Sequence, residues 1–158
     1  MGLDASIYLE VEETQDKENS DFIAYVIHES WKWKIKNLKD HGHYMGSHFG
    51  YACNYSYGTH RTFRDHLTAI AQGKSEPVDF LTAEPETIFY DLTDFADNEG
   101  CLDWEVCQKL YQEFEEQKQN AKNYFEKQED GDWWYSVYVK WMESFKNAGK
   151  HNGVIVFM

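Results

Sequence analysis

Two short stretches hold most of the side chains that could do chemistry. The first is Ser56-Tyr57-Gly58-Thr59-His60-Arg61-Thr62-Phe63-Arg64. A glycine-containing loop feeding a helix leaves backbone N–H groups unpaired and positive, here beside the Ser56 and Thr59 hydroxyls and two guanidinium groups. Such a start can hold an anion; the plainer alternative is a capped helix whose arginines balance nearby acids. Arg61 and Arg64 are the only arginines in the chain, so bidentate contact with a phosphate or a carboxylate falls to them. The second stretch is Phe95-Ala96-Asp97-Asn98-Glu99-Gly100-Cys101-Leu102-Asp103-Trp104. There an apolar segment stops, Gly100 supplies the positive φ of a sharp exit, and Asp103 suits the N-cap of a following helix. Asp97 and Glu99 are either solvated loop acids or acceptors aimed into a cleft.

A third group is looser: His41, His43, His48 and His60, with Cys53 among them. In an extended segment H-x-H puts two imidazoles on one face, and Asp97 and Glu99 could complete a zinc or other transition-metal site for a phosphoesterase. No established metal-ligand spacing is matched, and histidines in a Gly-rich loop are commonly plain polar residues. The chain has no G-x-S-x-G, P-loop or G-x-G-x-x-G element. A Cys53–His–Asp97 triad can be drawn on paper, as it can for any chain with this many His and Asp residues.

The elements that must position these groups are read from periodicity. Ala5, Ile7, Leu9 and Val11 alternate with polar neighbours, which predicts a half-buried strand. Phe22 to Ile27 reads as an inner strand paired with it. Trp31, Trp33 and Ile35 alternate with Lys32, Lys34 and Lys36, which predicts a strand with a protected edge. His41 to Gly58 reads as irregular. From Thr59, the expected N-cap, Phe63, Leu67, Ile70 and Ala71 share a helical face that ends at Gly73. Ile88, Phe89, Leu92 and Phe95 predict a short buried helix after Pro85. Asp103 to about Lys127 reads as the longest helix, with Cys107, Leu110, Phe114, Ala121 and Phe125 inside. Asp132 is the expected cap of the last helix (Trp134, Tyr138, Trp141, Phe145, Ala148), which Gly149 closes; Val154 to Phe157 follows as an internal strand.

The 158 residues fit one domain, 1–158, of α+β class: a small mixed or antiparallel sheet of about four strands with three main helices packed on it. A formal charge of −13 argues against direct nucleic-acid binding and against an anionic membrane surface. It suits solubility, or mimicry of nucleic acid toward a basic partner. Cys53, Cys101 and Cys107 form no CxxC pair, and with no signal peptide in view they are expected as free thiols in a reducing cytoplasm. Met1-Gly2-Leu3-Asp4-Ala5-Ser6 matches the short myristoylation pattern without polybasic support, and no run is apolar enough to span a bilayer.

Met1-Gly2-Leu3-Asp4, Tyr55-Ser56-Tyr57 with Phe63, Arg64 and Leu67, Phe95-Ala96-Asp97-Asn98-Glu99-Gly100, and Trp141, Phe145, Asn152-Gly153-Val154 and Phe157 together resemble a family of small uncharacterised bacterial and bacteriophage proteins. Its most specific part is an F-[AS]-D-x-E-G element. Residues 12–50 depart from the pattern, so nothing passes to their histidines. The resemblance implies a cytoplasmic accessory protein, in the host cytoplasm if phage-encoded; it supplies no reaction, and it raises Ser56, Arg64, Asp97 and Glu99 as a set.

The expectation is therefore a non-catalytic binding protein without a cofactor. Its pocket is expected between the Ser56–Arg64 helix start and the Asp97–Glu99 turn. Arg61 and Arg64 would engage an anionic, nucleotide-derived ligand, Asp97 and Glu99 would accept from it, and Tyr55, Tyr57 or Trp104 would stack. In a phage setting the ligand would be a host immune signal. The competing readings are the metal-dependent hydrolase and an acidic inhibitor of a basic host protein; a homo-oligomer is left open.

Overall fold

The computed structural model describes residues 2–158. Its strands are β1 (Gly2–Glu13), β2 (Phe22–Ala24), β3 (Gly42–Ser56), β4 (Gly100–Leu102) and β5 (Val154–Phe157). They form a five-stranded antiparallel sheet in the order β2-β3-β1-β5-β4, one strand more than composition and pattern suggest. Alternation decides the faces: Leu3, Ala5 and Ile7 of β1 point into the main core, while Tyr8 packs with a second cluster on the other side. The chain is α+β, as expected.

The helices are α1 (Tyr57–Gln72), α2 (Tyr90–Thr93), α3 (Trp104–Glu116), α4 (Lys118–Phe125) and α5 (Gly131–Lys150). Phe63, Leu67, Leu110, Phe114, Tyr138, Trp141 and Phe145 from α1, α3 and α5 meet in the main core with no exposed surface. The second cluster, Phe22, Ala24, Ile35, Leu38, Tyr44, Cys101, Val154 and Val156, is partly enclosed because the sheet curls. Its two edges nearly meet: Cys101 N on β4 donates to the Tyr25 carbonyl just beyond β2 at 3.1 Å.

Several expectations are corrected. Phe22 onward pairs with β3 rather than β1 and stops at Ala24, because the chain then turns to meet β4. Trp31 to Lys36 is not a strand: Trp31 to Ile35 lie in a 3-10 helix, Glu29–Ile35, with Lys36 at its C-cap; the alternation misleads, since Lys34 is buried and Trp33 is exposed. His41 to Gly58 is not irregular: most of it is β3, disguised by register shifts that disturb its alternation against β1. The helix after Pro85 shrinks to Tyr90–Thr93, although Phe89, Leu92 and Phe95 are buried as read. Asp103 to Lys127 breaks into α3 and α4 at Gln117, where the sequence is polar all round. Ser56, not Thr59, caps α1, and Asp130, not Asp132, precedes α5. Gly149 lies inside α5; a Cβ there would stand 3.0 Å from the Gln108 backbone nitrogen, so its role is close packing of α5 on α3.

Candidate functional site

The start of α1 is closed by its own residues. Ser56 Oγ accepts from Thr59 N at 3.0 Å and also lies 2.9 Å from the Thr59 hydroxyl. One turn in, a buried polar chain crosses the core: Trp141 Nε1 donates to Tyr55 Oη at 3.0 Å, and Tyr55 Oη lies 2.8 Å from His60 Nδ1. His60 sits against the Trp141 and Phe157 rings, and burial, assisted by the Arg64 charge, pulls its pKa down to about 3.

Arg64 follows one turn later and is buried. Its Nη1 donates to the Phe95 carbonyl at 3.0 Å and to the Thr93 carbonyl at 3.4 Å, and Nη2 reaches Asp97 Oδ2 at 3.5 Å. The guanidinium stacks 3.9 Å from the Phe80 ring centroid. The expected neighbours Arg64 and Asp97 are therefore together, but as a fork that ties α1 to the chain before β4. Asp97 keeps 44% of its side chain in solvent. Arg61 is exposed, 5.8 Å from the same Phe80 ring.

The other expected residues go elsewhere. Glu99 accepts from Tyr25 Oη at 2.6 Å, and burial, then that bond, raises Tyr25 to about 12. Tyr57 packs on the main core, whereas Trp104 packs on the second cluster across the sheet. The eight residues thus do not line one hollow. The four histidines also separate. His41 pairs with Asp40 at 3.0 Å, His43 with Ser20 Oγ at 2.8 Å, His48 lies between Tyr8 and Tyr51, and His60 is internal. Among the described residues no group of three or more His, Cys, Asp or Glu side chains is placed to hold a metal ion. Cys53 and Cys101 are buried, which pushes each thiol up to about 12, far from a reactive thiolate.

Two features escaped the sequence reading. The first is Lys34, 1% exposed, whose ammonium donates to the Asp91 carbonyl at 3.0 Å and to the Asp94 carbonyl, with the Phe95 ring centroid 4.9 Å away. Burial lowers it to about 8, opposed by Asp91 and Asp94. Asp91 in turn pairs with Lys109 at 2.8 Å. The Trp/Lys alternation hid this residue among its exposed neighbours. The second is a hollow of about 390 Å³ between the C-terminal half of α1 and residues 83–93, with Thr68, Gln72, Glu84, Thr87 and Thr93 in its walls. Each threonine there donates its hydroxyl proton to a nearby backbone carbonyl: Thr68 to Arg64 at 2.8 Å, Thr87 to Glu84 at 2.6 Å, Thr93 to Tyr90 at 3.2 Å. Gln72 Nε2 is likewise engaged, with Thr82 at 3.3 Å. What the accessible wall retains is mainly acceptor capacity: the Thr87 lone pairs, the Gln72 carbonyl oxygen and the Glu84 carboxylate, beside the second Gln72 N–H, while Thr68 and Thr93 are buried. Scattered threonines carry no spacing signal that would have revealed it.

Comparison with protein-family models, with curated proteins and with solved structures returns no match for this chain. Among the described residues no helix is long and apolar enough to cross a membrane.

Proposed function

We propose that this chain is a non-catalytic binding protein whose small-ligand site is the acceptor-walled hollow between α1 and residues 83–93. One observation carries the reading: the threonine hydroxyls at the walls spend their protons inside the protein, while the Thr87 lone pairs, the Gln72 carbonyl oxygen and the Glu84 carboxylate are left over. Such a wall suits a guest rich in donors, such as a primary amine, an amidine or the amino edge of a nucleobase. The volume of about 390 Å³ is in the range of small-molecule sites. The negative charge of the whole chain favours a cationic guest further.

The reading keeps the binding role expected from the sequence and changes the ligand's charge. An anionic group would need a free guanidinium in a hollow, and the Nη groups of Arg64 are spent on Thr93, Phe95 and Asp97. The bacteriophage setting and capture of a host signal rest on the resemblance and on no residue of this hollow.

The test is thermal unfolding and calorimetry with spermidine, agmatine, adenosine and AMP. The amines should raise Tm, since a ligand at a hundred times its Kd adds about 2.7 kcal/mol. Glu84→Gln and Thr87→Val should reduce that shift while leaving the unliganded Tm within a few degrees. A preference for AMP over agmatine would restore the anionic reading, and no response to any probe would remove the hollow as a site.

A further inference from the structure

Among the described residues, two buried side-chain polar atoms have no hydrogen-bond partner: His60 Nε2 and Arg64 Nε. They lie four positions apart on α1, their residues are 0% and 4% exposed, and the Arg64 charge acts directly on His60. Buried polar groups in native proteins are paired with protein or with ordered water, so an orphaned one marks something it holds. Side chains four apart on a helix are neighbours, with Cβ atoms about 5–6 Å apart. Two orphans so placed point to one shared guest.

The bond directions around His60 say what that guest must be. An indole N–H can only donate, so Tyr55 Oη accepts from Trp141 Nε1. The phenol's own proton then goes to His60 Nδ1 at 2.8 Å; the Cys53 sulfur, also beside that hydroxyl, is the weaker acceptor. Burial keeps the imidazole neutral, so with Nδ1 accepting, its one ring proton sits on Nε2. Arg64 Nε carries a proton in every state the protein visits. Both orphans are therefore N–H groups, and two donors cannot satisfy each other. They need one acceptor between them, and an oxygen taking two bonds of about 2.9 Å each spans the gap between such neighbours.

We propose that one internal water molecule is bound between His60 Nε2–H and Arg64 Nε–H as a fixed part of the fold. Its oxygen accepts both bonds. Its own protons have acceptors at hand, because the Phe95 and Thr93 carbonyls that receive Arg64 Nη1 each keep a second lone pair. An anion would also accept from two donors. Asp97 already faces the guanidinium, however, and the Trp141 and Phe157 rings lie against the imidazole, so a second negative charge would give up its hydration with no free cation to meet it. With the water in place the polar groups form one chain: Trp141, Tyr55, His60, water, Arg64 and Asp97. That chain joins α5 through α1 to the segment before β4 and ends at a carboxylate in contact with solvent. The water site does not depend on a ligand in the threonine-walled hollow.

The test is nuclear magnetic resonance of the nitrogen-labelled chain at neutral pH. Long-range proton–nitrogen spectra should show His60 protonated at Nε2 and bare at Nδ1. His60 Nε2–H and Arg64 Nε–H should both give dipolar cross-peaks to water in rotating-frame spectra, the mark of a resident molecule rather than of proton exchange. In His60→Phe the water peak of Arg64 Nε–H should be lost; its persistence would show a water held by Arg64 alone and overturn the shared site. A proton on Nδ1, or no dipolar peak to water in the parent chain, would overturn the bridged pair, and these parent-chain spectra decide the matter even where His60→Phe fails to fold. Resonances that move when sodium bromide replaces sodium sulfate would assign the site to a halide instead.

Discussion

Arg64 Nη1 donates to the Phe95 carbonyl at 3.0 Å, so the middle of α1 is fastened to the segment that leads into β4. The guanidinium is the only group in that position able to serve the Thr93 and Phe95 carbonyls and Asp97 together while stacking on Phe80. The relationship is structural, and it sets the first expected outcome.

Arg64→Ala should destabilise the fold by about 3 kcal/mol, because it strands two carbonyls and removes a buried cation from its partners. Asp97→Asn should change stability by less than about 1 kcal/mol, since its carboxylate is 44% exposed and the pair is screened. Urea midpoints decide the matter. An unchanged midpoint for Arg64→Ala would show that the fork is dispensable and free to serve a ligand.

Acid should destabilise the protein through its buried imidazoles. His60 falls to about 3 and His66 to about 4 on burial, against an ordinary value of 6.5. Between those values and 6.5 the unfolded chain takes up protons that the native state refuses, so stability is lost as pH drops through that window. The slope approaches about 1.4 kcal/mol per pH unit for each such group. Asp103, raised by burial, works in the opposite sense, equally in the parent chain and in a His60→Phe variant. His60→Phe should flatten the curve between pH 3.5 and 6.5 relative to the parent chain; parallel curves would mean that His60 takes its proton in the folded state.

Lys34 should act at the alkaline end. Its pKa falls from 10.5 to about 8, so between those values the unfolded chain keeps a proton that the native state has shed. The residue's contribution to stability therefore rises as pH goes up through the window, by at most about 1.4 kcal/mol per unit. Tyr25, raised to about 12, pulls the other way in both proteins, so the difference between the parent chain and Lys34→Met is the quantity to measure. A difference that stays flat from pH 8 to 10 would contradict the burial of an ionisable amine there.

Much of the scaffold was legible locally. The alternation of Ala5 and Ile7, the stripe Cys107, Leu110, Phe114, Ala121, Phe125, the αL exit at Gly73 and the capping carboxylate of Asp103 are short-range features, set by period and backbone preference. Where local pattern and long-range packing competed, packing won. Trp31 to Lys36 alternates as a strand would, but Lys34 gains two carbonyls and the Phe95 ring only by turning inward in a helical turn. β3 lost its alternation to register shifts that only pairing with β1 makes sense of.

The sites divide in the same way. The sequence by itself determined the acidic charge, the residue types, and which segments bury their apolar faces, because these depend on composition and on neighbours a few positions apart. Whether Arg64 is a ligand-binding group or a fastener, whether threonines from α1 and residues 83–93 share a wall, and which strands flank β3 were decided only by tertiary structure. The first depends on which distant acceptors the guanidinium meets, and the other two on which segments pack or pair side by side; a hydrogen bond made across the fold removes a group from the chemistry its residue type would otherwise offer.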